Sequence, residues 1–313
     1  MFLPVERCWI CDGRSLRRFH ESGLDFQAYA TQDPGLHAYT GHRVWLVRCA
    51  ACGHGQPEKL PTLPRFFDRM YDQQWDQAWV EDEFEGRSKD FIFQGILRAL
   101  KRRAGSSPRR LLDIGAHAGR FMSLAQQDGW TVEGIELNAR TAACAARRTG
   151  APVHQVNVHA LGAGGHRYSA VTLTDVLEHV PEPLSVLNAI ADIVEPGGSI
   201  GVKVPHGRVQ ELKERALESL TSHHVSLAEN LVHVNHFSVK SLELALERAG
   251  FGRVAVGPGS PELLPVSSRR LHGVLANVLR LSVWAAARIP GGVYSPLALN
   301  LQAFATKPVE SAR

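Results

Sequence analysis

The stretch Leu111 to Asn138, LLDIGAHAGRFMSLAQQDGWTVEGIELN, constrains this chain more than any other. A short apolar strand runs into a glycine turn, an amphipathic helix follows, and a second strand ends on an acid. That order brings backbone N–H groups and a carboxylate to one edge of a parallel sheet, the place where nucleoside ligands bind. Gly115 and Gly119 allow the backbone to approach a ligand closely, with Ala116 and His117 between them. Glu136 lies where a carboxylate can accept hydrogen bonds from both ribose hydroxyls. A dinucleotide site requires three glycines as G-x-G-x-x-G, so that a pyrophosphate can rest on the helix N-terminus. This turn reads Gly115-Ala116-His117-Ala118-Gly119-Arg120 and would seat a diphosphate poorly.

S-adenosylmethionine carries no phosphate and needs only a close backbone and an acid for its ribose. With these residues the segment resembles the class I S-adenosylmethionine-dependent methyltransferases. Three later segments extend the resemblance: Val171 to Val180 (VTLTDVLEHV), Leu187 to Val204 with its Pro196-Gly197-Gly198 turn, and His236 to Phe251. The match runs in family order from about Pro108 to Lys307, and it implies an α/β fold, a Rossmann-like seven-stranded sheet with helices on both faces. Strands are expected near Arg110–Ile114, Thr131–Ile135, Pro152–Val156, Ala170–Thr174, Ser199–Val204, Arg253–Val256 and Leu299–Thr306. The middle glycine of the family's turn is His117 here, so the amino-acid end of the cofactor is expected to be held differently. In this reading Asp113 orients the turn or reaches the ammonium of the cofactor, and Glu136 grips the ribose. Leu137 packs on the adenine and Asn157 reads its amino group, with a turn role for Asn157 as the alternative. Thr174 and Asp175 face the methionine half and the acceptor channel.

Methyl transfer is an in-line displacement that depends mainly on positioning. A hydroxyl acceptor also needs a general base, and histidine suits neutral pH. His179, beside Glu178 in the run after the fourth strand of the domain, is the best-placed candidate. Its competing role is a helix-start histidine bonded to backbone. His206, His223, His224, His233 and His236 cluster later, and His233 and His236, three apart, could share a carboxylate or a metal, or serve as cap and core.

Four of the five cysteines precede residue 60, as Cys8-x-x-Cys11 and Cys49-x-x-Cys52, each pair followed by a glycine, Gly13 or Gly53. Two such turns supply the four thiolates of a closed, structural zinc site. The spacing therefore predicts a small zinc-ribbon-like module over residues 1–60 and a helical linker over 61–107. The methyltransferase domain would occupy 108–313, with acceptor-pocket insertions near 207–235 and 261–296. The linker carries Phe66, Phe67, Tyr71, Trp75 and Trp79 at near-helical spacing, fitted to packing between the modules or to flooring a pocket. A helical stripe of Ile92, Ile96 and Leu100 follows.

With 313 residues, 44% hydrophobic and 21% charged, the chain can bury one sizeable core and a small second module. Neither a signal peptide at Met1 to Ile10 nor a spanning segment is expected, which points to the cytoplasm. Gly273 to Ile289 is apolar but interrupted by Arg280 and Arg288, and residues 271–288 could form a lid, lie on lipid headgroups or pack as a helix on the sheet. The net charge of +4 is too mild to argue for nucleic acid. Still, the basic run Arg98 to Arg110 keeps open an RNA base methyltransferase, similar to zinc-bearing ribosomal RNA guanine methyltransferases. The leading expectation is a methyltransferase acting on a hydroxyl of a natural product, sugar or lipid-linked compound. The deoxysugar C-methyltransferases share such a head but carry an added C-terminal domain, which disfavours carbon methylation. A scaffold that keeps the fold without turnover is the third reading, and intact Asp113, Gly115 and Glu136 argue against it.

Overall fold

A computed structural model describes residues 1–74, 84–103, 109–220, 229–264 and 271–309. Trp75, Trp79, His223 and His224 lie outside the described residues, as do parts of the Arg98–Arg110 run and of both expected insertions.

Five short strands build the N-terminal head: β1 (Phe2–Pro4), β2 (Leu16–Gly23), β3 (Arg43–Cys49), β4 (Gly55–Pro57) and β5 (Lys59–Pro61). β1 pairs with β5, and β2, β3 and β4 form an antiparallel sheet. The larger sheet contains β6 (Arg110–Ile114), β7 (Thr131–Ile135), β8 (Val153–His154), β9 (Tyr168–Thr174), β10 (Val194–Pro205), β11 (Gly252–Pro258) and β12 (Asn300–Thr306). Its order is β8-β7-β6-β9-β10-β12-β11, parallel except for β12, which runs antiparallel to both of its neighbours. All seven expected strands are present. β6 and β9 read as almost unbroken apolar runs because both faces of the sheet are covered.

Helices Asp90–Arg103, Arg120–Gln127 and Ala139–Thr149 pack on one face through Ile92, Ile96, Leu100, Phe121 and Ala145. Helices Pro183–Ile193 and Val239–Arg248 cover the other through Leu187, Ile190, Leu242 and Leu246. Among the described residues no helix is long and apolar enough to cross a membrane.

The head is joined to this sheet by specific polar contacts. Ser238 Oγ donates to Cys52 O at 2.8 Å, Lys240 Nζ to Ala51 O at 2.8 Å, and Arg248 Nη1 to Ile10 O at 2.7 Å, so one helix of the large sheet carries both cysteine turns. His236 and Gly55 exchange backbone hydrogen bonds, both at 2.9 Å. Helix Gly207–Leu220, which follows β10, reaches the head, where Glu211 pairs with Arg48 at 2.8 Å in a largely buried contact. Leu231 and Val234 then enter a cluster with Phe26, Leu36, Leu46, Phe66 and Met70.

Asn235 closes the joint. Its Oδ1 accepts from His54 Nε2 at 3.1 Å, while its Nδ2 donates to Leu177 O at 2.9 Å and Val180 O at 2.7 Å. One buried amide thus ties the residue two beyond Cys52 to the turn that follows β9. Replacing Asn235 by Ala would leave buried partners without hydrogen bonds, at a cost of about 1–3 kcal/mol. Thermal unfolding of Asn235→Ala should show a lowered midpoint, and an unchanged midpoint would show that the amide is not the fastening.

Candidate active site

The turn after β6 is crowded. Gly115 adopts φ +78°, its N–H and that of Ala116 both bond Ile135 O, and a Cβ at residue 115 would lie 2.3 Å from Val176 Cγ2. Gly119 caps helix Arg120–Gln127 at φ +85°, where a Cβ would meet Ala145 at 3.0 Å. Between them His117 takes φ +47°, a conformation that glycine adopts with less strain. Glu136 braces this turn from the end of β7. Its Oε2 accepts the His117 N–H at 2.8 Å and its Oε1 accepts the Asn138 N–H at 2.9 Å. Leu137 beside it is half exposed, as a residue awaiting a flat ring would be.

Asp113 is buried below the turn and accepts from Thr172 Oγ1 at 2.9 Å. Burial pushes its carboxyl up to about 7, against the Thr172 hydrogen bond and with the Glu136 charge adding to the rise. Asn157 uses its side chain to accept the His159 N–H at 3.2 Å and cap a short helix, the alternative role weighed for it. It also lines an open cleft of about 350 Å³ that is bounded by Phe66, Phe67, Val180 and Ser185. A closely packed glycine turn, a buried acid and an acid at the second strand end suit a nucleoside with no phosphate.

Beyond β9 the backbone turns sharply at Asp175, φ +56°. Lys203 Nζ, buried on β10, bonds Asp175 Oδ1, and Lys89 stands 3.8 Å from Oδ2. Burial alone would raise the Asp175 carboxyl, but the two lysines outweigh it and hold it below the usual range. Thr174 Oγ1 is shielded from solvent with no hydrogen-bond partner among the described residues. Glu178 is fully buried, and neither carboxylate oxygen has a partner there either. Burial first, and the Asp175 charge second, push it up to about 8.

His179 Nδ1 lies 2.7 Å from Val232 O and 2.6 Å from Tyr71 Oη, which also donates to Val232 O at 2.6 Å. A carbonyl oxygen only accepts, so Nδ1 carries the proton and Nε2 keeps its lone pair. Nε2 stands 4.0 Å from Glu178, and the His233 ring packs edge-on at 4.8 Å between centroids. Burial lowers His179, so the ring is neutral near pH 7. Glu178, His179 and His233 therefore form one cluster with Asp175 and Lys203 alongside. His236 is placed elsewhere: its ring packs edge-on against Phe19 of the head, 5.7 Å between centroids, and burial, with Arg48 and His20, drops it to about 4. That is a joint residue's setting rather than a catalytic one. Three residues of the site went unnamed in the sequence reading or were read as packing: Lys89, Lys203 and Tyr71. Lys203 alone left a signal, a single charge within the apolar strand GVKVP.

Cys8, Cys11, Cys49 and Cys52 place their sulfurs within 4.8 Å of one another. Cys8 and Cys52 stand 3.5 Å apart, Cys11 and Cys49 3.4 Å. Four sulfurs at such spacing suit a tetrahedral ion with metal–sulfur bonds of about 2.3 Å. The two turns are not alike. Gly53 takes φ +76°, whereas in the first turn Asp12 takes φ +62°. Gly13 leaves room for sulfur, since a Cβ there would lie 3.2 Å from Cys11 Sγ and 3.4 Å from Cys49 Sγ. The Cys52 hydrogen bond drives the Cys8 thiol down to about 5, and the Cys52 thiol is pushed up in turn.

Residues 84–256 match the family model described as a methyltransferase domain, more than half of the chain. The chain belongs to the methyltransferase-domain family. Curated relatives include the ubiquinone biosynthesis O-methyltransferase of Citrobacter koseri, 33% identical over 117 residues, 32% of this chain and 44% of that protein. The protein of the same name from Paracidovorax citrulli is 37% identical over 97 residues, 29% of this chain and 41% of its own length. The methyltransferase thus spans less than half the length of these relatives. Among solved structures it resembles a SAM dependent methyltransferase from Archaeoglobus fulgidus, with a TM-score of 0.49, 15% identity, 74% of this chain and 100% of that one.

Replacing Glu136 by Ala removes the brace of the turn and the carboxylate expected to hold the ribose. S-adenosylmethionine affinity measured by calorimetry should fall by about 1.5–3 kcal/mol. Unchanged affinity would place the ribose elsewhere.

Proposed function

We propose that this methyltransferase moves the methyl group of S-adenosylmethionine onto a hydroxyl of a small-molecule acceptor, with His179 as general base. The observation that carries the reading is the hydrogen-bond arrangement of His179. Its Nδ1 is committed to Val232 O and Tyr71, which leaves a neutral ring with a bare Nε2 at the turn after β9. Asp113, Gly115, Ala116, His117, Gly119, Glu136, Leu137 and Asn157 would hold the cofactor, and Thr174 and Asp175 its methionine half and the channel mouth. The cofactor supplies an electrophilic methyl on a sulfonium sulfur. The acceptor hydroxyl gives its proton to Nε2 as its oxygen takes the methyl and the carbon–sulfur bond breaks. Glu178, protonated at neutral pH by its burial, can donate a hydrogen bond to the acceptor without adding a repelling charge. The relatives named O-methyltransferases support oxygen as the attacking atom.

Three side chains of the basic run are engaged within the fold. Lys101 pairs with Asp128 at 2.7 Å, Arg110 with Glu133 at 3.1 Å, and Arg103 lies over Phe304. The four cysteines would hold zinc in a closed site, where the ion fixes the head and supplies no chemistry to the transfer.

Variant kinetics, a pH profile and metal analysis test this account. His179→Asn should lower kcat by about 10²–10⁴ in a radiolabelled-methyl assay against a panel of phenols, catechols and sugar alcohols. Its affinity for S-adenosylhomocysteine should stay within about twofold of the parent, on the same transition-state argument. In the parent, kcat/KM should fall as pH drops through the His179 pKa, below the usual 6.5 of histidine, because protonation removes the base. A variant as active as the parent would remove His179 from the reaction. Elemental analysis should find one zinc per chain, lost in Cys49→Ser, and metal-free protein with an intact head would contradict the zinc assignment.

A further inference from the structure

Helix Leu271–Ala287 is built inside out. Its inward side carries polar groups: Asn277 is buried and pairs with Leu264 N–H and C=O at 2.8 and 2.9 Å, and Arg280 Nη1 donates to Glu262 O at 2.9 Å. Trp284 points the same way, edge-on to Phe91 at 5.5 Å with Nε1 bonded to Pro258 O at 3.4 Å. Its outward side is apolar. Val274, Leu275, Val278 and Leu279 are 43%, 65%, 55% and 66% exposed, on one face by their helical spacing. Ile289, at 63%, prolongs the face past the helix end, and Tyr294 stands 72% exposed in the turn that follows. A surface helix of a water-soluble domain has the opposite arrangement.

Arg288 stands at the end of this face, its guanidinium over the Trp284 ring, and between Glu262 and Glu310 the sequence contains no Asp or Glu. The helix is fastened beside the reaction site. Leu263 N–H bonds Ser88 O at 2.9 Å, Phe91 meets Trp284, and Lys89 between them reaches Asp175.

We infer that this face docks on the surface of an anionic lipid bilayer, the helix lying in the headgroup plane with its leucines and valines below it. An apolar stripe flanked by arginine, with an exposed tyrosine close by, is the composition of an interfacial helix. Seventeen residues at about 1.5 Å each give about 26 Å, and Arg280 lies within them, so the helix does not span. A second copy of this chain fits less well, since it would bring arginines against arginines with no acid to pair them. The inference goes beyond the methyl-transfer reading and is tested without turnover. Joined to that reading, it places the acceptor in or on the membrane.

The test is co-sedimentation of the full chain with vesicles of equal parts phosphatidylglycerol and phosphatidylcholine, beside vesicles of phosphatidylcholine alone. The protein should pellet with the anionic vesicles, at least about tenfold less well with the neutral ones, and be released by added salt. Leu275→Asp with Leu279→Asp should abolish pelleting while leaving S-adenosylhomocysteine affinity and the unfolding midpoint at parental values. Arg288→Glu should weaken binding by about fivefold or more. The inference is overturned if the parent stays in the supernatant with anionic vesicles, or if the double variant pellets like the parent. It is equally overturned if the parent is a dimer by analytical ultracentrifugation that the double variant splits while neither binds vesicles.

Discussion

Two turns leave the middle of the parallel sheet side by side, and they press together so closely that one methyl group at residue 115 would not fit against Val176. Everything at the site follows from this crowding. The turn after β6 must run left-handed, and its amides are fixed against Ile135 and Glu136. The turn after β9 must bend away at Asp175, also left-handed, which sends Glu178 and His179 across the strand ends. In the proposed reading, a nucleoside seated on the first turn would have its reacting end at the second.

The site is electrostatically uneven, and burial sets the pattern. Asp113 loses solvent without gaining a cation, and at Glu178 burial and the Asp175 charge outweigh Lys203 and Lys89, so both rise toward neutrality. Asp175 also loses solvent, but Lys203 and Lys89 keep it charged. Neighbouring carboxyls pushed apart in this way can take different roles. A protonated Glu178 suits a hydrogen bond to the acceptor. His179 stands beside it as a neutral ring whose tautomer is set by the Val232 carbonyl.

The seven strands of the sheet could be read from the sequence because buried parallel strands are continuous apolar runs and their turns carry glycine. The cysteine turns could be read because metal-ligand spacing is local. The joint between head and sheet could not, since His54 and Asn235 stand 181 positions apart and the turn that Asn235 holds lies elsewhere again. Tyr71 read as one more aromatic on a helix, and only the folded chain brings it to His179 from 108 positions away. His233 and His236, three apart in sequence, part company in the fold. Their neighbourhood in sequence is rich in histidine, yet the chain passes His236 to Phe19 in the head while His233 goes to the site. The helix of residues 271–287 read as either lid or lipid-facing because periodicity reports that one side is apolar, not which side meets solvent.

The most direct test of the account is a crystal structure of the chain with S-adenosylhomocysteine bound. The account requires both ribose hydroxyls on Glu136, the adenine against Leu137, and the sulfur opening toward His179 Nε2 and Glu178. A nucleoside lodged away from the β6 and β7 ends, or a sulfur facing away from the turn after β9, would contradict it.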